Sequence, residues 1–142
     1  MPSDAFEEIV DTFAFLDDWE DRYRHVIDLG KAMPALDEAE RVPATKVEGC
    51  ASQVWLVPEV TGQGPSAIIQ FRGESDAMIV KGLIAILIAL CSGQTAQALQ
   101  NMDVKAELGR LDLAEHLSSQ RSNGLNAMIE RVKALSAHAV SQ

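Results

Sequence analysis

The run Gly82-Leu-Ile-Ala-Ile-Leu-Ile-Ala-Leu-Cys91 carries no charged or amide side chain on any face, and it constrains the fold more than any other stretch. Read as a helix, it has no side to turn to water and must lie at the centre of a domain. It is well short of the roughly 20 residues that cross a bilayer, and Lys81 stands directly before it, so a buried helix is the reading. Ser75 and Asp76 are placed to cap this helix and Gly93 to end it. Gly82 costs about 1 kcal/mol relative to alanine inside a helix, which predicts a close approach there by the sheet or by another helix.

Amphipathic and extended segments surround that centre. Phe6, Ile9, Val10, Phe13 and Leu16 recur at helical spacing and predict a helix from about Asp4 to Leu16. Asp17 and Asp18 offer caps for a second helix, with Trp19, Tyr23, Val26 and Ile27 on one face and a stop near Gly30. Residues 33–45, with Pro34 and Pro43, show no sustained period and read as an exposed connection. Lys46–Glu48, Gln53–Val60 and Ser66–Gly73 read as strands, the last two joined by the hairpin loop Thr61-Gly-Gln-Gly-Pro65. Thr95 and Asp103 cap two short helical segments, and Ser118 or Ser119 opens a last helix striped with Leu125, Met128, Ile129, Val132 and Leu135. The expected architecture is α+β, a small antiparallel sheet of about three strands with several helices against one face, as one domain over residues 1–142.

Twelve basic and twenty-one acidic residues give a net charge of −9, which repels phosphate backbones and anionic lipid headgroups. Neither nucleic acid nor a membrane is an expected partner. The two cysteines and the acidic start Met1-Pro-Ser-Asp-Ala-Phe-Glu-Glu8 point to a reducing cytoplasm.

Cys50, within Lys46-Val-Glu-Gly-Cys-Ala-Ser-Gln-Val-Trp-Leu56, has surroundings suited to chemistry. Gly49 permits backbone angles closed to other residues, while Ala51 and Ser52 leave an approach path to the thiol. A reactive thiol also has to ionise, and Arg41 and Lys46 are the nearest cations in sequence that could favour the charged form. The competing reading is a small hydrophobe packed at a strand end. Cys91, at the end of the apolar helix, reads as a packed thiol without function.

His25, His116 and His138 read as solvated, and none is spaced to form a ligand pair with a cysteine, so neither a metal nor a cofactor site is expected. A cysteine hydrolase would need one of these histidines as base, and spacing selects none. Asp17, Asp18, Glu20 and Asp21 read as a capping and solubilising run. Arg121 stands in the first turn of the last helix, where a cation opposes the helix dipole. It either supports the Cys50 loop or a negatively charged sulfur species, or is an ordinary surface arginine. Gly124 in the same helix marks close packing.

Three blocks in order, Gly49-Cys-Ala-Ser-Gln-Val-Trp-Leu56, Gly73-Glu-Ser-Asp-Ala-Met-Ile-Val-Lys-Gly-Leu-Ile-Ala85 and His116-Leu-Ser-Ser-Gln-Arg-Ser-Asn-Gly-Leu-Asn-Ala-Met128, resemble the SufE family. The likeness extends to Trp19-Glu-Asp-Arg-Tyr-Arg-His-Val-Ile-Asp-Leu-Gly30 and so to nearly the whole chain. It implies the fold shared with IscU-type scaffolds, though this chain lacks their set of cysteines. It also implies an accessory of Fe–S cluster assembly that accepts sulfur from a SufS-type cysteine desulfurase on Cys50. Such a protein stimulates the desulfurase and passes the sulfur to an Fe–S scaffold. The pyridoxal phosphate chemistry then belongs to the partner, and a homodimer stays open. Ser119 stands where a helix-starting proline is common in the family, a change of capping more than of chemistry. The alternative is a noncatalytic docking regulator of the same desulfurase.

Overall fold

The structure, a computed structural model, describes residues 3–50 and 52–142. In chain order they form α1 (Asp4–Phe15), α2 (Trp19–Lys31), β1 (Val54–Thr61), β2 (Ile68–Ser75), α3 (Met78–Cys91), β3 (Gln94–Thr95), α4 (Ala96–Asn101), α5 (Val104–Gly109) and α6 (Ser119–Val140). The sheet order is β1-β2-β3, antiparallel throughout, an α+β arrangement with three strands.

Helix α3 is the centre that its composition requires, with Leu83, Ile84, Ile86, Leu87, Leu90 and Cys91 at most 1% exposed. The sheet presents Ile69, Phe71 and Gly73 to it, and a side chain at Gly73 would run into Ile84. Helix α1 closes one flank through Phe6, Ile9 and Phe13, its cap Ser3 accepting from the Phe6 amide and donating to the Ala89 carbonyl of α3. Helix α2 crosses α3 at glycine against glycine. A Cβ on Gly82 would lie 2.1 Å from the Val26 carbonyl oxygen, and one on Gly30 would lie 2.7 Å from the Gly82 amide nitrogen. Helix α2 stops near Gly30 as expected, at Lys31 with Ala32 as its C-cap, while Gly30 itself serves the packing against α3.

Three expectations need correction. Lys46–Glu48 is not a strand; Lys46 makes one bridge to Trp55, and the third strand is the two-residue β3 beyond α3. The connection over residues 33–45 is not simply exposed. Leu36 is buried, Arg41 donates to the Leu36 carbonyl at 2.9 Å and to Glu74 at 2.8 Å, and Glu40 pairs with Arg72. Arg72 and Glu74 alternate with the buried residues of β2, so this segment covers the sheet face turned away from α3. Neither Ser75 nor Asp76 caps α3, whose N-cap is Ala77. The pairing of Val54 with Ser75 places Asp76 opposite Gln53, and their backbone and side chain clasp each other instead.

The remaining caps fall where local chemistry puts them. Thr95, Asp103 and Ser118 accept from the amides of Ala98, Ala106 and Arg121 at the starts of α4, α5 and α6. Helix α6 then buries Gly124, Leu125, Met128, Ile129 and Val132.

Candidate functional site

Cys50 lies in a short loop closed at its base by the Val47 amide donating to the Val54 carbonyl at 2.8 Å. The Gln53 amide donates to the Asp76 carboxylate at 3.1 Å, and the Asp76 amide returns a bond to the Gln53 carbonyl at 3.3 Å. Between these anchors Gly49 turns the chain at φ +89°, in the left-handed region that glycine enters without steric cost.

The loop folds down onto α6. The half-buried Cys50 thiol donates to the Gly124 carbonyl across 3.6 Å, and a Cβ at Gly124 would stand only 3.6 Å from Sγ. The thiol opens into a cleft of about 300 Å³ between the loop, the start of α3 and the start of α6. Val80 contributes to its apolar wall, and Ser52, Ser118 and Arg121 supply polar groups. The fold thus brings Cys50, Ser52 and Arg121 together around one space, with Gly49 as the turn. Ala51 lies outside the described residues.

Electrostatics hold this thiol in its neutral form. Its pKa is pushed up first by burial and then by the nearby Glu48 carboxylate. Neither cation suggested by sequence proximity offsets this: Arg41 is held by Glu74 and the Leu36 carbonyl, and Lys46 is not among the influences on the thiol. A thiol seated this way is protected and weakly nucleophilic, because the thiolate is the reactive form.

No histidine among the described residues lines the cleft. His116 is not solvated as expected: its ring stacks on Trp19 with centroids 3.7 Å apart and planes at 18°, and its carbonyl accepts from the Tyr23 hydroxyl. His25 packs edgewise on Phe13, and His138 lies beside Gln142. Cys91 is fully buried in α3, and burial pushes its thiol up to about 12 against a smaller opposing influence from Lys133. Among the described residues no group of three or more His, Cys, Asp or Glu side chains is placed to hold a metal ion. Likewise, none of their helices is long and apolar enough to cross a membrane.

Of the residues that the sequence singles out, Cys50, Ser52 and Arg121 line the cleft, Gly49 makes the turn, and Gly124 packs closely against Cys50. Sequence reading misses Val80 and Ser118 as walls of the cleft and takes Asp76 for a helix cap. The Asp76 signal was present in the strand register, which pairs residues whose numbers lie far apart.

An uncharacterised SufE-like protein of Rhizobium meliloti is 52% identical over 129 residues, covering 91% of this chain and 92% of its own length. A SufE-like protein of Rhizobium etli is 51% identical over 129 residues, covering 91% and 87%. In three dimensions the whole chain matches the solution structure of a hypothetical protein from Thermus thermophilus with a TM-score of 0.76, at 19% identity and full coverage of both, which speaks to the fold alone. The family model described as SufE, an Fe–S metabolism associated domain, matches residues 7–136, and the chain belongs to the SufE family.

Proposed function

We propose that the protein is a sulfur-transfer accessory of Fe–S cluster assembly, a single domain over residues 1–142 that works in the cytoplasm. Its partners are a SufS-type cysteine desulfurase upstream and an Fe–S scaffold downstream, and Cys50 is the acceptor. The observation that carries the reading is the Cys50 thiol on a glycine-turned loop, facing a cleft large enough for an added sulfur atom.

In the transfer, the Cys50 thiolate attacks the terminal sulfur of the desulfurase persulfide. One S–S bond forms as the other breaks, the desulfurase cysteine leaves as a thiolate, and Cys50 becomes the persulfide without net oxidation or reduction. The thiol's proton is lost to solvent before attack. Because the seated thiol is held neutral, docking has to lift the loop or bring a cation to it before the step proceeds. Gly49 gives the loop its turn, Ser52 lines the approach to the thiol, and Arg121 offers a positive charge to the new persulfide anion across the cleft. Passing the sulfur on repeats the exchange with an acceptor thiol.

Desulfurase turnover measured with the wild-type chain and with Cys50→Ser tests this reading. Loss of stimulation by the variant, with complex formation retained, is expected. Full stimulation by Cys50→Ser would overturn it in favour of a docking regulator.

A further inference from the structure

Gly124, Ala127 and Arg131 follow one another at spacings of three and four and so share one face of α6. The segment leading to Cys50 lies along that face in the opposite direction. Cys50 rests on Gly124, Gly49 sits where an added Cβ would be 3.3 Å from the Ala127 methyl, and Arg131 reaches the chain several residues earlier. One of its terminal nitrogens donates to the Lys46 carbonyl at 3.1 Å and the other to the Ala44 carbonyl at 2.6 Å. The Thr45 carbonyl between them accepts from the Leu56 amide of β1 at 2.9 Å. The root of the loop is therefore pinned on two sides, to the sheet through Thr45 and to α6 through its two flanking carbonyls.

The two ends of this contact differ in strength. At the tip, the attachment to α6 is a thiol-to-carbonyl bond of 3.6 Å and a contact between small groups, and it is weak because sulfur is a weak donor. At the root, a charged planar fork meets two carbonyls at once, and charge-assisted bonds are roughly twice as strong as neutral ones. A lysine ammonium is a point charge on a flexible stem and does not reproduce the fork. The sheet pairing fixes the root on β1 but does not set its register along α6. That register follows from the guanidinium.

We propose that Arg131 is a positioning residue for Cys50: it holds the loop root in register with α6 and so seats the thiol on Gly124, facing the cleft. Its consequence for sulfur transfer rests on the reading of Cys50 as acceptor. A seated persulfide is shielded from stray thiols until a partner docks, and an unpinned one leaks its sulfur.

The test is alkylation of Cys50 by iodoacetamide in the full-length protein, followed by mass across a pH series. It compares wild type, Arg131→Gln, Arg131→Lys and the exposed neighbour Glu130→Gln as control. The Gln variant should react about tenfold faster, the weight of one charge-assisted hydrogen bond, with Arg131→Lys in between and Glu130→Gln unchanged. Its pH profile should also move to lower pH, because burial is the main cause that holds the seated thiol neutral. A purely structural role would lower the unfolding temperature without moving that profile. A wild-type rate and profile in Arg131→Gln would overturn the proposal. If that variant fails to fold, Arg131→Lys decides, and a wild-type rate there has the same force. The assay involves no persulfide, so a faster Cys50 that takes no sulfur from a desulfurase would leave the positioning intact and remove the acceptor reading.

Discussion

The Cys50 thiol rests against the Gly124 carbonyl, 3.6 Å away, on the segment of α6 that walls the cleft. A Cβ at Gly124 would meet Sγ at 3.6 Å and the Cys50 Cβ at 3.8 Å, which are ordinary contact distances. Gly124→Ala should therefore fold, gain up to about 1 kcal/mol from helix propensity, and alkylate at Cys50 within about twofold of wild type. Gly124→Leu has no such room and should push the loop off its seat, raising the alkylation rate. A slow thiol in Gly124→Leu would show that the seat is not on Gly124.

The crossing of α2 and α3 gives a prediction whose sign opposes local propensity. Gly82→Ala improves helix propensity by about 1 kcal/mol, yet its methyl would sit 2.1 Å from the Val26 carbonyl oxygen and 2.7 Å from the Val26 carbonyl carbon. Backbone cannot yield there without moving α2 from α3, and overpacking of this kind costs about 1–3 kcal/mol. Urea unfolding should place the variant's midpoint below wild type. A higher midpoint would contradict the close crossing.

Cys91 predicts a limit at alkaline pH. Its thiol is raised to about 12 in the folded chain, above its unfolded value, so the folded state holds the proton more tightly. That contribution is fully present below the unfolded pKa and is lost as pH rises through the folded one, between about 8.5 and about 12. Cys91→Ala lacks the titration, so its stability should fall less steeply than wild type's over that range. Parallel curves in pH-dependent unfolding would refute the assignment.

Local signals read true, and long-range pairing was what stayed hidden. Thr95, Asp103 and Ser118 cap their helices because a cap needs only the next three residues. Asp76 carries the same signal, but the strand register sets it opposite Gln53, and no window around residue 76 contains that pairing. Strand β3 is two residues long and cannot show a period of two. Gly82 announced a close approach because it sits inside its helix, whereas Gly30 stands beside the end of α2, where a glycine carries the local signal of a stop and its packing against α3 leaves no trace in sequence. At the site, Gly49 and Cys50 stood out locally. Arg41 did not serve as the thiol's cation because Glu74, on a strand far along the chain, already holds it.

The most direct measurement of the central claim is intact mass with peptide mapping after the chain is incubated with a SufS-type cysteine desulfurase and cysteine. The account predicts one added sulfur atom on the peptide containing Cys50, none on the buried Cys91, and no addition in Cys50→Ser. Sulfur mapped to Cys91, or retained in Cys50→Ser, would contradict it.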